Sequence, residues 1–128
     1  NRFRFNRPAL PAIALSTDTS VMTSIANDSS FDNVFVRQIQ ALGVRGDMFI
    51  GMSTSGNSTN ILKALKQCRA MKITTVGFTG QKTSKMTKLC DYCLAFPSSD
   101  TPRVQEAHIT VAHIICDIIE KSLFKSFH

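Results

Sequence analysis

The sequence predicts an α/β domain, a doubly wound and mostly parallel sheet flanked by helices. Three observations carry that expectation. Short continuous apolar runs alternate along the chain with stretches of helical period, the pattern of strand-helix-strand units. The composition is that of one packed domain spanning residues 1–128, with 43% hydrophobic residues and no repeat or linker tract. Directly behind the run "DMFIGM" stands "STSGNS", a hydroxyl-rich turn leading from strand to helix.

"PAIAL" (Pro11 to Leu15), an apolar run entering the polar Ser16-Thr17-Asp18, is expected to be a first buried strand. Two helical stretches follow. "SVMTSIAND" sets Val21, Met22 and Ile25 on one face, and "DNVFVRQIQALG" sets Val34, Phe35, Gln38, Ile39 and Leu42 together, with Gly43 as its stop. "DMFIGM" (Asp47 to Met52) is the second strand. Behind it, "NSTNILKALKQCRAM" turns Ile61, Leu62, Leu65 and Cys68 to one side, with Ser58 placed to cap the helix. "KITTVGFTG" is a third strand, "SKMTKLC" a short helix and "YCLAF" a fourth strand ended by Pro97. The last helix, "PRVQEAHITVAHIICDIIEKSLF", opens on Pro102 and is apolar around much of its circumference, which predicts deep packing.

No run of about 18 apolar residues exists to cross a bilayer, and the charged "NRFRFNRP" is unlike a signal peptide. No membrane partner is expected. Cys68, Cys90, Cys93 and Cys116 lie in periodic apolar segments, where the reduced thiols of a cytoplasm fit better than a disulfide framework. Cys90-x-x-Cys93 lacks the second pair of a zinc ribbon and reads as two small apolar residues. The net charge of +6 favours anionic partners. Its carriers are scattered over helix faces (Lys63, Lys66, Arg69, Lys72, Lys82, Lys85, Lys88), and aromatic residues interleave with them only in "RFRF". That distribution favours a small phosphorylated ligand over nucleic acid.

The order strand, "STSGNS", helix gathers the hydroxyls of Ser53, Thr54, Ser55 and Ser58 with the N–H groups of a helix N-terminus. A phosphate monoester accepts several hydrogen bonds and is favoured by the helix dipole. No lysine follows Gly56, so the Walker pattern is absent and a phosphosugar-like ligand is expected over a nucleoside triphosphate.

"GMSTSGNSTNILKAL" resembles the phosphate loop of the sugar isomerase (SIS) domains, whose fold is flavodoxin-like. Within them, "RPALPAIALSTDTSVMTSIANDSSFDNVF" and "RVQEAHITVAHIICDIIEKSLF" are similar to the bacterial phosphoheptose isomerases, from Asn6 to Phe124. The resemblance implies interconversion of sedoheptulose 7-phosphate and D-glycero-D-manno-heptose 7-phosphate in lipopolysaccharide heptose biosynthesis, by a cytoplasmic homotetramer. Carried over by motif, Ser53, Thr54, Ser55 and Ser58 contact chiefly the phosphate, and Asn27 and Asp28 the sugar hydroxyls. Gln105 and His113 stand at the reacting end as substrate and zinc ligands, one ion per site, with His113 as catalytic acid or base.

Aldose-ketose isomerisation moves a proton between C1 and C2 through an enediolate, so it needs an acid, a base and a stabiliser of the oxyanion. Gln105 and His113 are eight positions apart, about 12 Å of rise and about 80° of rotation on one helix. Either Gln105 lies in an irregular first turn or the two come from different copies of the chain, so a site at a subunit interface is expected. His108, about 140° around the helix from His113, is expected to be structural or on the surface. On the resemblance, an earlier strand, a glycine-rich loop and a helix carrying the glutamate base lie upstream of "NRFRF". The chain therefore reads as N-terminally truncated, with "PAIAL" and "DMFIGM" left as unsatisfied edges, and poor solubility, self-association or lost activity is expected. Pro102 stands where the heptose enzyme often carries an aspartate. The alternative is a non-catalytic SIS module, a phosphosugar sensor or a scaffold that associates with the DnaA initiator, which "RPALPAIALSTD" resembles too. Gln105, His113 and an intact "STSGNS" favour the enzyme.

Overall fold

The computed structural model describes residues 2–80 and 83–124, so Lys82 lies outside the described residues. In chain order come α1 (Thr19–Asp28), a 3-10 turn (Phe31–Asn33), α2 (Val34–Leu42), β1 (Met48–Ser53), α3 (Thr59–Ala70) and β2 (Thr74–Thr79). A second 3-10 turn (Met86–Lys88), β3 (Tyr92–Ala95) and α4 (Thr101–Leu123) complete the order. The strands pair in parallel in the order β1-β2-β3, with Met48 beside Thr74 and Val76 beside Tyr92. The result is an open α/β sheet with helices on both faces.

Side-chain alternation along the strands divides the work. Phe49, Gly51 and Ser53 face α3, where a Cβ on Gly51 would meet Ile61 and Met86. On this side Ile39, Ala64, Cys68 and Ile73 form one buried cluster and Ile61, Leu65 and Met86 another. Leu65 and Ala64 are 0% exposed; a fully buried leucine contributes about 2 kcal/mol of transfer free energy. The opposite face carries Phe78, which packs on α4 through His108. In β1 the same face leaves Met48, Ile50 and Met52 exposed. The start of the sheet is clamped by Asp91, whose carboxylate accepts from Thr75 N and Thr75 Oγ1, both at 2.8 Å.

Several expectations are corrected. "PAIAL" forms no strand: Pro11 has no N–H to give a ladder, no described strand lies alongside, and Ile13 is 73% exposed. "SKMTKLC" shortens to one 3-10 turn. Leu42 points to solvent although Val34, Gln38 and Ile39 are buried. Ser58 occupies the N-cap position of α3, but its hydroxyl binds Ser53 Oγ at 2.8 Å instead of the helix backbone. The deepest departure is α4, where only Val104, His108 and Glu120 are buried. Ile109, Ile114, Ile118, Ile119 and Leu123 are exposed, since the described residues place no element against those faces.

The thiols of Cys68, Cys90, Cys93 and Cys116 are all free. Burial pushes Cys68 up to about 11 and, together with the neighbouring Cys93, pushes Cys90 up to about 12. Burial raises Cys93 as well, so the Cys90 and Cys93 thiols stay protonated, in keeping with their reading as small apolar residues. Among the described residues no helix is long and apolar enough to cross a membrane.

The N-terminal segment is tied to the far end of α4. Glu120, 1% exposed, accepts from Phe3 N at 2.8 Å, Arg4 N at 2.6 Å and Arg7 Nε at 2.6 Å, and Arg4 pairs with Asp117. Burial alone would raise the Glu120 carboxyl, but these donors outweigh it and hold it at about 2, below the ordinary 4.5. A depressed carboxyl stabilises the fold above its unfolded pKa, and that contribution is lost as pH falls from about 5 through about 2. Urea unfolding followed against pH should show this loss in the wild type. Glu120→Gln, which leaves the Arg7 cation half-paired, should be less stable at pH 7 and should flatten that part of the profile.

Candidate functional site

Parallel pairing sends the carboxyl ends of β1 and β2 to one edge of the sheet, the edge at which open α/β sheets bind ligands. β1 ends at Ser53 and runs into the turn at Gly56. There the Ser53 hydroxyl organises the loop: it lies 2.8 Å from Ser58 Oγ and 3.5 Å from Ser55 Oγ, and it accepts from Gly56 N at 3.1 Å. Asn57 N donates to Ser55 Oγ at 3.2 Å. The loop is then pinned to its neighbours, with Gly80 N donating to Thr54 O at 3.0 Å, Met86 N to Gly56 O at 3.0 Å and Lys85 N to Asn57 Oδ1 at 3.1 Å.

Gly56 has φ +64°, and a Cβ there would stand 2.3 Å from Ser84 Oγ and 2.4 Å from Thr79 Oγ1. Both hydroxyls are buried without a hydrogen-bond partner. Gly80 is a second close approach, where a Cβ would meet Thr54 O at 2.6 Å and Val104 at 3.1 Å. Through it the first turn of α4 seats on the loop.

This seating closes a cleft of ≈ 420 Å³ lined by Met52, Ser53, Thr54, Ser58, Gln105, His108 and Ile109. A neighbouring cleft of ≈ 280 Å³ shares Thr54 and adds Ser55, Asn57, Ser98, Ser99 and Thr101. Above them α3 begins without a side-chain bond from Ser58; of its first-turn N–H groups, which have no i−4 acceptor in the helix, Ile61 N is taken by Asn60 Oδ1 at 2.8 Å. Hydroxyls, open N–H groups and a helix N-terminus together can hold an oxyanion.

Of the residues singled out from sequence, Ser53, Thr54, Ser58 and Gln105 share the first cleft, and Ser55 lines the second. Asn27 and Asp28 end α1, hydrogen-bonded to each other at 2.9 Å, and line neither cleft. His113 is exposed, two turns beyond Gln105, with its ring 5.7 Å from that of Phe3. Sequence reasoning missed His108 as a cleft residue, and also Ser98, Ser99 and Thr101. The run of small hydroxyl residues before Pro102 was the available signal for the last three. Nothing in helical spacing distinguishes a histidine packed in the core from one packed at the wall of a cleft.

Gly56→Ala should cost about 1–3 kcal/mol from the strained φ and the clash, read by urea unfolding. The same variant should bind inorganic phosphate at least about tenfold more weakly, read by calorimetry.

The SIS domain family matches residues 1–80 of this chain. The chain is 54% identical over 126 residues to a phosphoheptose isomerase of Aneurinibacillus thermoaerophilus, covering 98% of this chain and 64% of that relative. It is 56% identical over 124 residues to phosphoheptose isomerase 2 of Campylobacter jejuni, covering 97% of this chain and 62% of that relative. Among solved structures, a phosphoheptose isomerase from Francisella tularensis superposes with a TM-score of 0.90 at 34% identity, over 94% of this chain and 65% of that one. The chain thus spans somewhat less than two thirds of the length of these relatives.

Proposed function

The chain belongs to the SIS-domain family, and from that membership we propose that it is the phosphosugar-binding part of an aldose-ketose isomerase acting on sedoheptulose 7-phosphate. The observation that carries the reading is the cleft in which Ser53, Thr54 and Ser58 meet Gln105 and His108 across the carboxyl end of β1. It is supported by relatives more than half identical over nearly the whole chain that are named phosphoheptose isomerase.

In this proposal the serine loop and the start of α3 hold the phosphate, Ser55 serving from the second cleft. Gln105 hydrogen-bonds the sugar, Asn27 and Asp28 its hydroxyls, and His113 moves a proton at C1 or C2. No carboxylate among the described residues lines the cleft. His113 and Gln105 do not converge within one copy, so His113 serves the cleft of a neighbour in a homo-oligomer, a tetramer on the family reading, working in the cytoplasm.

Zinc does not fit the residues of one copy. Among the described residues no three His, Cys, Asp or Glu side chains gather to hold an ion, and Gln105 and His113 stand apart along α4. A zinc site on these two residues needs donors from a second chain.

The exposed Ile109, Ile114, Ile118 and Ile119 of α4, with Met48, Ile50 and Met52 of β1, form apolar surface of the kind that self-association covers. Sedimentation should therefore show an oligomer, and Ile114→Asp with Ile118→Asp should shift it toward monomer.

Proton NMR of sedoheptulose 7-phosphate with the protein in D₂O tests the function. Saturation transfer to the ligand is the expected result, and deuterium entering C1 would show that proton abstraction proceeds with these residues alone. Transfer without exchange would mean that the serine loop holds the phosphate while the catalytic base is missing, and the absence of both signals would remove the phosphosugar reading. His113→Ala should abolish exchange while leaving phosphate affinity within about twofold; unchanged exchange would take His113 out of the mechanism.

A further inference from the structure

His108 is 6% exposed, and its Nε2 is buried with no hydrogen-bond partner. Folded proteins leave few such atoms unpaired, and each calls for an explanation in strain, in chemistry or in a bound water or ion. The ring is fixed in place. It stands edge-on to Phe78 of β2, with centroids 5.7 Å apart at 73°, and tilted against Phe96 at 5.2 Å and 59°. It also lines the ≈ 420 Å³ cleft, three positions after Gln105 on the same side of α4 and across from Ser53, Thr54 and Ser58. An imidazole held by two aromatic rings, with a polar atom unsatisfied and a hydroxyl-rich cleft beside it, has the preorganisation expected of a binding group.

We propose that His108 is a ligand-contacting residue, whose ring hydrogen-bonds an oxygen of the bound phosphosugar close to its phosphate. This rests on the phosphosugar reading of the cleft. The phosphate is held by the serine loop, and His108 forms the facing wall that fixes how the sugar leaves that subsite. Its role is recognition, separate from the proton transfers assigned to His113.

The test uses the protein with inorganic phosphate and with sedoheptulose 7-phosphate as probes. Histidine ring NMR of the unmutated protein should show the His108 resonances shifting on ligand addition. His108→Phe keeps an aromatic ring between Phe78 and Phe96 and should retain the unfolding midpoint, yet bind the phosphosugar about tenfold more weakly. His108→Gln, which restores a side-chain amide, should recover part of the affinity. A loss that extends to inorganic phosphate assigns the contact to a phosphate oxygen, and a loss confined to the phosphosugar assigns it to a hydroxyl. Unchanged affinity for both probes, with unshifted ring resonances, would overturn the proposal and leave the phosphosugar reading standing. Failure of the wild type to bind either probe would overturn both.

Discussion

The whole cleft depends on the left-handed turn at Gly56. With no Cβ, this residue can bring its backbone against Thr79 and Ser84, where any other side chain would overlap two hydroxyls. That approach fixes three things together. It returns the chain after β1 so that Ser58 reaches Ser53, it ties the loop to the 3-10 turn through Met86 N, and it leaves Thr54 O where Gly80 N can bind it. The last contact matters most for the site, because Gly80 is also where Val104 of α4 approaches. Loop, sheet edge and helix are therefore positioned by one backbone conformation.

The strand-helix order and the serine loop were legible in the sequence because both are local. Alternation and period place Met48–Ser53, Thr59–Ala70 and Thr74–Thr79 to within a residue or two, and a hydroxyl turn between strand and helix has few other geometries. What was not legible depends on partners. "PAIAL" has the composition of a buried strand, but composition does not supply the neighbouring ladder, and the segment stays irregular. The apolar circumference of α4 likewise tells which residues resist water without telling which of them a single chain covers. His108 and Ile109 are adjacent in sequence, yet the first is buried by Phe78 and Phe96 and the second is 55% exposed.

α4 is best understood as a helix with three consecutive tasks. Its first two turns pack into the sheet through Val104 and His108 and present Gln105 to the cleft. Its middle turns carry isoleucines that the described residues leave bare. Its last turns hold Glu120, which is too deeply buried to stand unpaired as an anion and is satisfied by two backbone N–H groups and Arg7. The N-terminal segment is thereby attached at the end of α4 far from the cleft, and Phe3 lies against His113.

The continuity of α4 explains why Gln105 and His113, the two polar residues proposed to act in the chemistry, do not meet. Gln105 is held at the cleft by the loop contacts of the first turns, whereas His113 follows the part of the helix that leaves the sheet. Two groups about 12 Å apart on one rigid helix cannot converge on one substrate carbon without unwinding the segment between them. Unwinding would expose the backbone of the helix and release His108 from its aromatic neighbours, so on the proposed function the geometry would be completed from outside the helix. On the function proposed above, a cleft that holds a phosphate through Ser53, Thr54 and Ser58 and a sugar through Gln105 and His108 would need proton-transfer groups delivered across its open side. The exposed apolar turns of α4 flank His113, so the surface that would bring a second copy into place also carries the imidazole that copy would deliver.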